Sequence, residues 1–77
     1  MSGMERTLRK IVSKIAETPP DFPVDVNLHD ELAVDSVRSL EILFEVEKAF
    51  GVVVPEARYA EARTFMGLLN LVASLRS

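Results

Sequence analysis

Residues 32–51 read LAVDSVRSLEILFEVEKAFG, and this stretch decides the fold. Asp35 and Ser36 are both favoured residue types at a helix start. Gly51 suits the position just past a helix end. The stretch therefore predicts a helix from about Asp35-Ser36 to Phe50. Placed on a wheel with Val37 at zero, Lys48, Glu41, Glu45 and Arg38 fall in a polar arc between about 20° and 100°. Ala49, Ile42, Val46, Phe50 and Leu43 cover one apolar flank. Leu40, Phe44 and Val37 cover another, with Glu47 between the two. A surface helix needs an apolar stripe of roughly 100° to face its core, and this one spans more than twice that. Either the helix is central and buried on most sides, or one flank faces outward as an apolar ridge edged by carboxylates, the usual mark of a partner site.

Working outward, the preceding segment is long and irregular. Residues 18–34 contain Pro19, Pro20 and Pro23, which disfavour helix and keep the chain extended. Phe22, Val24, Val26, Leu28 and Leu32 are the expected anchors of this loop, whose length implies a task in so small a domain. Before it, Leu8, Ile11, Val12 and Ile15 recur at helical spacing and predict a first helix ending at Thr18-Pro19-Pro20. After Gly51, Val52-Val53-Val54-Pro55 reads as extended and too isolated to form a sheet. A short helical turn is expected from Glu56 to about Ala62. Thr64 is the expected N-cap of a last helix, with Phe65, Leu68, Leu69, Val72 and Leu75 on its apolar face and Gly67 weakening it slightly. The class is all-α: a four-helix bundle of three main helices and one short one, with a long loop between helices 1 and 2.

Composition narrows function. A chain of 77 residues holds one small core, so residues 1–77 are expected to form a single domain. Net charge is −3 and the sequence pI is near 5.0, which argues against nucleic-acid binding. Charge is uneven: the middle of the chain is acidic and both ends are basic. The absence of cysteine excludes disulfides, thiolate metal sites and cysteine nucleophiles. No apolar run approaches the roughly 18 residues of a membrane span, and charges interrupt the N-terminal segment too often for a signal peptide. The expectation is a cytoplasmic protein without stable membrane insertion and without a metal site. Met1 and the short ends read as those of a free-standing protein.

Ser36 has two readings. With Asp35 it forms an ordinary N-cap pair. The same geometry also offers an exposed hydroxyl beside unpaired N–H groups and a positive dipole end, where a phosphate ester would be stabilised. A serine hydrolase would need a base and an orienting acid. The only imidazole is His29, seven residues earlier on an acidic loop, and it reads as a surface residue. Asp30-Glu31 reads as a solvated loop, and the chain has little room for a closed pocket. No catalytic residue is expected.

The run Leu32-Ala33-Val34-Asp35-Ser36-Val37, then Leu40-Glu41-Ile42, Glu47, Phe50-Gly51 and Val54-Pro55-Glu56, resembles the acyl carrier proteins. That family shows a D-S-L attachment site, an acidic helix with V-E-L ending in phenylalanine, and an I-P-[DE] stretch. The match runs ungapped from about residue 28 to 75, and the first helix also fits. The resemblance implies a four-helix bundle in which Ser36 carries covalent 4′-phosphopantetheine, installed from coenzyme A by a phosphopantetheinyl transferase, with Asp35 flanking the attachment point. An acyl group would ride as a thioester on the arm, so the cofactor supplies the sulfur that the chain lacks. Val37, Leu40, Glu41, Phe44 and Glu47 would form the recognition face for acyl-loading, acyl-transfer or synthase enzymes, with Glu45, Glu56 and Glu61 adding charge. The carrier itself is expected to be a non-catalytic monomer. Such a tethered group reaches each partner at high effective concentration, and rim charges set encounter rate and specificity.

The sequence departs from the family in informative places. Val37 replaces the usual leucine, and Ala33 a common glycine. Arg38 and Lys48 stand where housekeeping carriers are often acidic, and Arg58 and Arg63 dilute the charge further. These departures point to a specialised fatty-acid, lipid or polyketide pathway. Two alternatives stay open: an aminoacyl or peptidyl carrier, and a helical interaction module that carries no prosthetic group.

Overall fold

The computed structural model describes residues 3–76. Met1, read above as the start of a free-standing protein, lies outside them. Four helices follow in order: α1 (Gly3–Ala16), α2 (Ser36–Phe50), α3 (Glu56–Glu61) and α4 (Phe65–Arg76). Among the described residues there is no strand, only an isolated antiparallel bridge between Asn27 and Thr64.

The helix ends follow local chemistry. At the end of α1, the Thr18 N–H donates to the Ser13 carbonyl at 3.1 Å across a left-handed Glu17. Gly51 closes α2 with φ of 64°, and its N–H donates to the Glu47 carbonyl at 2.9 Å. Thr64 caps α4 as the sequence predicts, its Oγ1 accepting from the Gly67 N–H at 3.0 Å. The first turn of α4 also draws on the long loop: the Phe65 and Met66 N–H groups donate to the carbonyls of Val26 and Val24 at 3.1 and 2.8 Å. Together with the Leu28 N–H to Arg63 carbonyl bond at 2.9 Å, these contacts stitch the loop along the approach to α4.

The core gathers Leu8 and Val12 from α1, Ile42, Leu43, Val46 and Phe50 from α2, and Phe65, Leu68, Leu71 and Val72 from α4. The loop adds Phe22, Val26, Leu28 and Val34, and the extended segment after α2 adds Val54. Phe65 is fully buried and meets Phe22 edge-to-face, with ring centroids 5.1 Å apart. Burying one such side chain contributes about 1.5–3 kcal/mol. Of the expected loop anchors, Val24 and Leu32 are only partly buried. α3 contributes no buried residue and packs against α4.

Candidate functional site

Asp35 and Ser36 divide the roles that the sequence left joined. Asp35 is the N-cap: its Oδ1 accepts from the Arg38 N–H at 2.8 Å, and its carbonyl accepts from the Ser39 N–H at 2.8 Å. Ser36 is the first helical residue and is exposed, and its hydroxyl makes no hydrogen bond among the described residues. The N–H groups of Ser36 and Val37 likewise find no acceptor among the described residues, whereas the first-turn amides of α4 are all taken. An accessible primary hydroxyl therefore stands beside two open amides at the positive end of α2.

The second apolar flank of α2 faces outward. Val37 is 65% exposed, Leu40 51% and Phe44 61%, while Ile42, Leu43, Val46 and Phe50 face the core. Glu41 is exposed beside the ridge. Glu47 is placed differently from the other four residues of the expected recognition face. It is half-buried, and its Oε2 accepts from the Val54 N–H at 2.9 Å, tying the end of α2 to the extended segment that follows.

A cleft of about 570 Å3 opens beside Ser36, between α2 and α3, with Val34, Leu40, Leu43 and Ala62 among its walls. Tyr59 and Ser39 close one side. The Tyr59 hydroxyl donates to the Ser39 carbonyl at 2.7 Å and accepts from Ser39 Oγ at 3.1 Å. Burial pushes the Tyr59 phenol above its ordinary value near 10, and the bond from Ser39 partly offsets that rise. His29 also borders the cleft, and its Nδ1–H donates to the Val34 carbonyl at 2.7 Å. That bond orients the loop just before Ser36 and gives His29 a structural task. Among the described residues there is no cluster of three or more His, Cys, Asp or Glu that could hold a metal. No helix is long and apolar enough to cross a membrane.

The family model described as "Phosphopantetheine attachment site" matches residues 6–72. The chain belongs to that family. Relatives of this acyl carrier include an acyl carrier protein of Rickettsia bellii (strain OSU 85-389), 28% identical with both chains covered in full. An acyl carrier protein of Amoebophilus asiaticus (strain 5a2) is 32% identical over 70% of this chain and 68% of its own. Membership brings a covalently attached 4′-phosphopantetheine group. The site described above suits it: an exposed, uncommitted hydroxyl, open amides for a phosphodiester, and no side chain packed over the point of attachment.

Two features of the carrier's site escaped the sequence. Tyr59 was hidden in a short helix whose face is undefined over so few residues, and its link to Ser39 spans 20 positions. The inward turn of Glu47 was foreshadowed only by its place between the two apolar flanks.

Proposed function

We propose that Ser36 is the residue that carries the arm, and that the exposed face of α2 presents the loaded carrier to its enzymes. The observation that carries this reading is the juxtaposition of the free Ser36 hydroxyl with the uncovered Val37, Leu40 and Phe44 ridge. When bound, phosphopantetheine supplies a terminal thiol on which an acyl group is held as a thioester. The chain's own residues do the rest. Asp35 fixes the first turn of α2, so that Ser36 is held at a defined end of a rigid rod. Val37, Leu40 and Phe44 offer apolar contact, with Glu41 and the other carboxylates setting encounter and choice of partner. Glu47 supports that face by anchoring the far end of α2 rather than by meeting a partner itself.

The partners on this reading are a phosphopantetheinyl transferase and the enzymes that load and unload the carrier. The carrier acts as a cytoplasmic, non-catalytic monomer in a specialised fatty-acid, lipid or polyketide pathway. Arg38, Lys48, Arg58 and Arg63 support specialisation, because they change the charge that a general partner surface would meet. Efficient service as the general carrier of the host's fatty-acid synthase would refute it.

Co-expression with a broad-specificity transferase, followed by intact-mass measurement, tests the site. The wild-type chain should gain the mass of one arm, and Ser36→Ala should gain none. A wild-type chain that stays bare would favour the interaction module instead.

A further inference from the structure

Arg38 lies in the first turn of α2, at the positive end of the helix dipole, where a cation is disfavoured. Its guanidinium meets Glu17 Oε2 at 3.0 Å. Glu17 is itself at odds with local preference, because its φ of 56° lies in the region that favours glycine. Two residues that each break a local rule thus meet in one ion pair, spanning the end of α1 and the start of α2. Local rules are broken mostly where function requires it. The pair is not a strong fastening: its side chains are 36% and 75% exposed, and exposed pairs hold loosely.

Side chains on a helix slant toward its N-terminus, and the Arg38 Cα lies only about 3 Å further along the axis than that of Ser36. The guanidinium therefore leans toward the end that Ser36 occupies. We propose that Arg38 is a positioning residue for the phosphodiester of the arm, and that it exchanges Glu17 for that phosphate once Ser36 is modified. This rests on the assignment of Ser36 above. A phosphodiester there would sit next to the Asp35 carboxylate, and Arg38 is the cation in the same turn. A guanidinium binds phosphate through paired, charge-assisted hydrogen bonds, which a loosely held carboxylate does not match. The Arg38 backbone is already fixed by the bond from its N–H to Asp35, so only the side chain has to move. Glu17 is then released, and the clasp between α1 and α2 exists only in the unmodified carrier.

The test compares unmodified and modified protein for wild type, Arg38→Gln and Glu17→Gln, with modification verified by intact mass. The modification-induced change in thermal midpoint should be more favourable in wild type than in Arg38→Gln by about 2–5 °C, and the difference should shrink in high salt. In Glu17→Gln the change should be larger still, because Arg38 has no competitor. The Arg38 Nε–H resonance should also move on modification of the wild-type chain. Equal midpoint changes in wild type and Arg38→Gln overturn the proposal. An Arg38 resonance that stays in place does so as well, even where Arg38→Gln proves a poor transferase substrate. A wild-type chain that gains no arm overturns the Ser36 assignment itself, so the two failures are told apart by mass.

Discussion

Ala33 sits three residues before the attachment site with φ of 55°, a conformation in which a Cβ crowds the following carbonyl. Glycine takes this conformation without that penalty. Ala33→Gly should therefore stabilise the fold by about 1 kcal/mol, seen as a rise of about 4–8 °C in thermal midpoint. An unchanged or lowered midpoint would show that the turn before Ser36 is not strained. The sequence marked Ala33 as a departure from glycine, and the positive φ supplies the physical reason that the position favours one. It also marked Asp35-Ser36 as a pair, without separating the cap from the free hydroxyl. Both residue types cap helices equally well, so only the backbone position distinguishes them.

At the scale of elements, α2 was the most legible piece of the chain. Its start, its Phe50 end and its Gly51 stop follow from local chemistry, and its over-wide apolar arc resolves into one buried flank and one open flank. α4 was read nearly as well. Leu71, absent from its predicted face, is buried because the loop and α1 cover a broader arc than one stripe. The attachment of α3 was not legible, since it depends on the Tyr59–Ser39 bond rather than on a hydrophobic pattern. That bond makes a prediction about pH. The Tyr59 phenol titrates higher in the folded chain than in the unfolded one. Its contribution is fully present below about pH 10 and is lost as pH rises through the folded value. Stability should fall in that alkaline window, and Tyr59→Phe should flatten the fall. Tyr59 is the only tyrosine, and there is no tryptophan, so tyrosinate absorbance follows this one group directly. A titration at the ordinary phenol value would contradict its burial.

Across the whole molecule, a single guanidinium joins three parts of the chain. Arg9 Nε donates to Glu5 at 3.0 Å within α1, and Nη1 donates to the carbonyls of Pro20 and Phe22 at 2.7 and 2.5 Å in the long loop. The same group lies 4.9 Å from the Phe22 ring centroid and 5.0 Å from that of Phe65 in α4. From sequence, Arg9 is one more cation on a basic helix, because its partners lie 11 and more residues away. Arg9→Met should cost about 2–3 kcal/mol through lost hydrogen bonds and cation–π contact, a large share of the stability of so small a domain. Arg9→Lys should recover little of it, because the fork geometry rather than the charge spans the two carbonyls. Urea midpoints of the two variants decide this, and full rescue by lysine would show that charge alone matters.

That α3 buries none of its own residues has a bearing on how this scaffold changes over generations. One wall of the hollow beside Ser36 is built from a segment outside the hydrophobic interior, so substitutions there can reshape the hollow while the folding nucleus stays as it was. Diversification in what the protein ferries has a place to begin that leaves the rest of the architecture untouched.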